Sequence, residues 1–217
     1  MTPLRRIDRL VMAPSCAARE ALECVPDKPG YYAIFVDSPF VLPKIFAARV
    51  PRSGLIYIGI SERSTLLNRL VRQDLRHETP ASFFRSLGAV LGFKPIRGSL
   101  FGKKNQQNYT FSVTDTQEII EWIDRYLSVN WLRSKPSKAE EKRLIKLHEP
   151  VFNIQHNPHK CEQLEDLRRR CRETACQPPI KRIEPALGDK VPKAKRGRPP
   201  LSDGVRSQNA VQRNRHR

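Results

Sequence analysis

The chain has 217 residues, 39% of them hydrophobic, and carries 40 Lys and Arg against 22 acids for a net charge of +18. That length holds one domain with a core plus extensions, and the modest apolar share leaves part of the chain unpacked. The charge favours a polyanionic partner, nucleic acid above an anionic membrane surface, since neither a basic amphipathic helix nor an apolar run of spanning length occurs.

Five cysteines, at 16, 24, 161, 171 and 176, form no C-x-x-C pair, and the apolar run Leu10–Ala13 is too short for a secretory signal. Free thiols in a reducing compartment are the expectation, hence a cytoplasmic, nucleoid-associated protein with no membrane and no small-molecule cofactor. The His156, His159 and cysteine spacing matches no usual zinc pattern.

In chain order, residues 1–14 read as a basic arm, and Ser15 caps a short helix through Cys24. Pro26 and Pro29 break the chain ahead of Gly30-Tyr31-Tyr32-Ala33-Ile34-Phe35-Val36. A second run, Gly54-Leu55-Ile56-Tyr57-Ile58-Gly59-Ile60, follows after a proline-containing insertion. Both runs are rich in aromatic and β-branched residues with glycine at an edge, which predicts a buried antiparallel strand pair. Each carries a tyrosine beside a glycine, and two phenols that both need partners on paired strands suggest a shared polar site.

Leu67, Leu70, Val71 and Leu75 then follow helical spacing, with Arg69, Gln73 and His77 on another face. A helix over 81–91 buries Phe84, Leu87 and Leu91. Residues 93–108 read as a basic loop with Lys103 and Lys104 near the partner. Tyr109–Val113 alternates like a strand, 117–126 is a helix capped by Thr114 or Thr116, and 128–132 is a further strand. A helix spans 138–148, Val151–Ile154 is extended, and 161–173 is a last helix with Leu164, Leu167 and Cys171 inward.

On Gly30-Tyr31-Tyr32 and Tyr57-Ile58-Gly59 the chain resembles the GIY-YIG nucleases over roughly 29–155. The family has an arginine on the helix after the second motif, matched by Arg69. It also has a metal-binding glutamate on a later helix, ahead of a Pro-x-aromatic-Asn end. Glu141 lies nine residues before Pro150 and twelve before Asn153, which fits; Glu140 is the alternative ligand. The resemblance implies DNA phosphodiester hydrolysis with Mg²⁺ (or Mn²⁺) on Glu141. Arg69 would contact the phosphate, Tyr32 would relay or accept the proton of the attacking water, Tyr57 would orient the phosphate or base, and Asn153 would hold the glutamate helix. Two positions depart from the family. Ile60 stands where a lysine is common and Gln73 where a tyrosine or histidine is common, so His77 and Arg63 are the candidates to supply the base and the cation.

From Pro178 on there are six prolines, no aromatics, and eleven Lys and Arg against three acids, the composition of a disordered basic tail. Within it Arg196-Gly197-Arg198-Pro199 resembles an AT-hook core, which implies a reader of narrow A·T-rich minor grooves. The expected fold is α/β: a small, mainly antiparallel three-stranded sheet flanked by helices. The expected organisation is an arm over 1–24, the nuclease-like domain over 25–156, a helical extension over 157–177 and the tail over 178–217. The alternative to an endonuclease is a non-catalytic DNA-binding protein on a degenerate nuclease fold.

Overall fold

Gly30–Val36 is buried along its whole length, and it forms the strand on which the others are laid down. The computed structural model describes residues 7–179. In it β1 (Cys16–Ala17), β2 (Gly30–Val36), β3 (Leu55–Ser61) and β4 (Leu127–Arg133) make one sheet in the order β1-β4-β2-β3, with every pairing antiparallel. β2 is covered on both faces, which explains a continuous apolar run in place of alternation. Tyr32, Ile34 and Val36 point into the larger cluster, and Tyr31, Ala33 and Phe35 into the smaller one.

The helices sort onto these two faces. A π-helix over Leu67–Leu75, α3 (Ser82–Val90), α4 (Val113–Tyr126) and α6 (Glu162–Cys176) cover the larger cluster with Leu70, Phe83, Ile119 and Leu164. α5 (Lys138–His148) and the turn Asp8–Val11 cover the smaller one with Leu144, Ile145, Leu10 and Val11. α6 is part of the same core: Leu164, Cys171 and Ala175 are buried, and the Leu100 amide donates to the Ala175 carbonyl.

The sheet has four strands where three were expected, because the helix expected over 15–24 starts as an edge strand. Ser15 N–H donates to Val129 O, Cys16 pairs with Val129, and only Ala21–Cys24, α1, is α-helical. The edge of β4 satisfies this backbone in place of a helical cap. The expected strand at 109–113 is absent. Tyr109 and Phe111 are buried, but their rings pack against α3, with Phe111 6.4 Å from Phe84 between centroids. Ser112, not Thr114 or Thr116, caps α4 by accepting from the Asp115 amide. A side chain alternating toward a helix gives the same period of two as one alternating across a sheet. In the insertion between β2 and β3, α2 is a single turn, Lys44–Ala47.

One irregularity in β3 has large consequences. Tyr57 pairs with Ile34, but Leu55 pairs with Phe35, so Ile56 is an extra residue in a β-bulge. Leu55 faces the smaller cluster, and in a regular strand Tyr57, two residues on, would face it as well. The bulge turns Tyr57 onto the side of Tyr32 instead. Opposite Tyr32 stands Gly59, where a Cβ would collide with the Tyr32 ring and hydroxyl. Gly59→Ala is expected to lower stability by about 1–3 kcal/mol through overpacking. The urea midpoint measures this.

Candidate functional site

Tyr32 is fully buried, and its phenol donates a 2.5 Å hydrogen bond to Oδ2 of Asp74, which is itself 0% exposed. Asp74 comes from the π-helix, as do Arg69 and Gln73. Arg69 Nη1 donates to Gln73 Oε1 at 2.8 Å, and its Nη2 stands 3.9 Å from Asp74 Oδ2. In an α-helix the residue five positions on is roughly 140° away around the axis. The wider π turn stacks it over its predecessor, so one arginine reaches both Gln73 and Asp74.

The charges in this cluster act on one another. Burial pushes Asp74 above the usual carboxylate range, against the pull of Arg69 and of the Tyr32 hydroxyl. Burial and the neighbouring Asp74 hold the Tyr32 phenol well above its ordinary value, and Arg69 offsets them only in part. That direction is opposite to what proton acceptance by Tyr32 requires. Tyr57, with its ring 6.2 Å from that of Tyr32, is also raised, chiefly by burial, with Arg69 and Arg168 pulling it down.

Tyr57, Arg69, Glu141 and Asn153 open onto one cleft of about 600 Å³. Tyr32 and Asp74 lie behind it. Glu141 sits in the first turn of α5, where burial raises its carboxyl and Arg69 and Lys138 pull it back. Its neighbour Glu140 does not line the cleft and pairs with Arg143 at 2.9 Å. The start of α5 is held by Tyr31, the tyrosine that faces the other side of the sheet, whose hydroxyl accepts from the Ser137 amide at 2.7 Å.

Asn153 is buried and makes two bonds to one residue of β3: its Oδ1 accepts from Ile58 N–H at 2.9 Å and its Nδ2 donates to Ile58 O at 2.8 Å. With Phe152 N–H donating to Ile56 O, this pins the segment after α5 to the sheet.

The other expected site residues lie elsewhere. His77 is not on the cleft. The π-helix has ended at Leu75, His77 takes a left-handed φ of 55°, and its ring stacks on Phe84 at 4.3 Å. Arg63, Lys103 and Lys104 are exposed on loops. Arg196, Gly197 and Arg198 lie outside the described residues. Sequence reasoning missed Asp74 and Arg85. Asp74 falls among Leu70, Val71 and Leu75 on the buried stripe, and an acid on an apolar stripe was the available signal.

Among the described residues no group of three His, Cys, Asp or Glu side chains is set to hold a metal ion. The cleft offers the carboxylates of Glu141 and of Glu165, the latter held by Lys160, a donor set that suits a hard cation that keeps most of its waters, not a closed zinc site.

A family model described as the GIY-YIG catalytic domain matches residues 30–171. The chain belongs to the GIY-YIG family. The match runs from the first residue of β2 into α6, so it takes in β2, β3, β4, the π-helix and every cleft-lining residue but Arg172. This is a family of endonucleases that act on DNA, which identifies the domain as nuclease-type. No curated protein and no solved structure matches the chain.

His77 gives a test by pH. Desolvation and the nearby Arg85 lower it from 6.5 to about 4. The unfolded chain therefore takes up the proton first as pH falls, and stability is lost between about 6.5 and 4. His77→Phe keeps a ring on Phe84 and removes the titration. Its urea midpoint should fall less than the parent's between about pH 7 and about pH 4.5; equal falls would show that His77 carries none of the acid sensitivity.

Proposed function

We propose that the protein is a metal-dependent DNA endonuclease that hydrolyses phosphodiester bonds in the cleft between β3, the π-helix and α5. The observation that carries this reading is the convergence of Tyr57, Arg69 and Glu141 on one cleft. Glu141 would hold a Mg²⁺, which when bound supplies a Lewis acid to a phosphoryl oxygen. Arg69, always charged, binds the scissile phosphate as a fork and offsets the charge that grows on it during the reaction. The neutral Tyr57 phenol donates to the same phosphate. Tyr32 is a positioning residue: through Asp74 it fixes the side of the π-helix from which Arg69 projects.

The alternative is a DNA-binding protein that no longer cuts, favoured by Ile60 and by Gln73, whose carbonyl is occupied by Arg69. Plasmid nicking with Mg²⁺ and with EDTA separates the two. Glu141→Gln is expected to lower nicking by about 10²-fold or more while DNA binding is kept, since charge neutralisation at the phosphate is lost. Glu140→Gln should be much milder, because that carboxylate serves Arg143. Nicking by Glu141→Gln at the parent rate would remove the assignment.

In the tail, Arg196 and Arg198 would follow the minor groove of A·T-rich duplex. Arg196→Ala with Arg198→Ala should then weaken binding to A·T-rich DNA more than to G·C-rich DNA at one salt concentration. Equal losses would leave only general phosphate attraction.

A further inference from the structure

Arg85 lies in the middle of α3 and is 3% exposed, yet its Nε and Nη1 are buried with no hydrogen-bond partner. No carboxylate pairs with it among the described residues; its close contact is the face of Tyr109, 5.7 Å from the guanidinium carbon. A cation–π contact holds the charge but does not satisfy two buried N–H groups. Arg85 nevertheless lines the same cleft as Tyr57 and Glu141. From α6, which packs on α3, Arg168 and Arg172 line it too, one turn apart, and Arg168 Nε is likewise buried without a partner. Of the acids on α6 near them, Asp166 and Glu173 are bound by Arg169, and Glu165, which also lines the cleft, is bound by Lys160 at 3.0 Å. Asp74 acts on Arg85 electrostatically, but its Oδ2 is taken by the Tyr32 hydroxyl and its Oδ1, though free, makes no hydrogen bond to Arg85. This wall of the cleft thus presents three guanidinium groups against one carboxylate, Glu165, which Lys160 already holds.

We propose that Arg85, Arg168 and Arg172 form a second phosphate-binding subsite that takes a backbone phosphate neighbouring the one held by Arg69. The inference rests on the nuclease reading for its substrate, and it goes beyond that reading by giving the cleft a direction. A strand would enter with one phosphate on the α3–α6 wall and present the next at Tyr57, Arg69 and Glu141. A buried guanidinium with unused donors is built for a planar, bidentate oxyanion, and a phosphodiester supplies one. Binding at two points fixes the angle of the strand, as positioning of a scissile bond requires.

The test uses the full chain in EDTA, so that binding is read without cleavage. Arg85→Met and Arg168→Gln are measured for affinity to a short duplex over a range of salt, and for the rise in Tm on adding inorganic phosphate. Each variant should lose the phosphate-induced rise and lower the slope of log K against log salt by about 0.9. Without phosphate, Arg85→Met should melt at or above the parent temperature, because it removes a buried charge that lacks a partner. With Mg²⁺, both variants should raise KM several-fold. An unchanged slope in both variants overturns the proposal, and so does a lost phosphate response with an unchanged slope, which would make this a site for a free anion. If Arg85→Met does not fold, Arg168→Gln, half-buried on α6, decides alone. A parent that never nicks DNA while the variants lower the slope would remove the nuclease reading and leave the subsite standing. A parent that nicks while the slopes stay put would do the reverse.

Discussion

The hydrogen bond between the Tyr32 phenol and the Asp74 carboxylate is the contact on which the site depends. A carboxylate with no exposure is costly unless its oxygens are matched. Here Oδ2 takes the Tyr32 phenol from β2, with Arg69 of the π-helix 3.9 Å away, and the Phe83 amide in the first turn of α3 favours the charge, while Oδ1 is left without a hydrogen-bond partner. α3 has no side-chain cap of its own, so Asp74 places a negative charge where that helix end most favours one. Breaking any one of these contacts leaves the others with a buried charge to solvate. The bond also explains two local oddities. Gly59 exists because the Tyr32 ring lies across it, and the π turn exists where an acid must sit over Arg69.

Arg69 is the electrostatic centre of the cleft. Its charge bears on Tyr32, Tyr57, Asp74 and Glu141 at once, in each case favouring the ionised form against burial. A single guanidinium can do this because two neighbours, Gln73 and Asp74, fix it from below, leaving it to face the cleft from a set position.

Much of this was legible in the sequence, because it depends on local patterns. The strand pair was written in two runs of aromatic and β-branched residues, and α5 was bounded by Pro136-Ser137 and Pro150. Tyr57, Arg69, Glu141 and Asn153, singled out by motif and spacing, line one cleft. What was not legible depends on contacts far apart in the chain. The bulge at Ile56 has no local signature, since any seven apolar residues could carry it. The edge pairing of Cys16 with Val129 joins residues more than a hundred positions apart, and a short helix former yields to it. His77 was placed by extending a regular helical face past a helix that is neither α-helical nor still running at that point. Nothing local marks Arg85, because α6 and Tyr109, distant in the chain, are what enclose it.

The double bond pattern of Asn153 to Ile58 has a consequence for how copies of this chain meet. β3 is an outer strand of the sheet, and β1, at the opposite side, is two residues long. An outer strand with open amides and carbonyls is a template for strand addition by another chain. On β3 the Ile58 amide and carbonyl are both taken by a side chain, and the Ile56 carbonyl by the Phe152 amide. The residue that holds the segment after α5 thus also closes the sheet to a neighbour. Strand addition along β3 is thereby hindered at the middle of that margin.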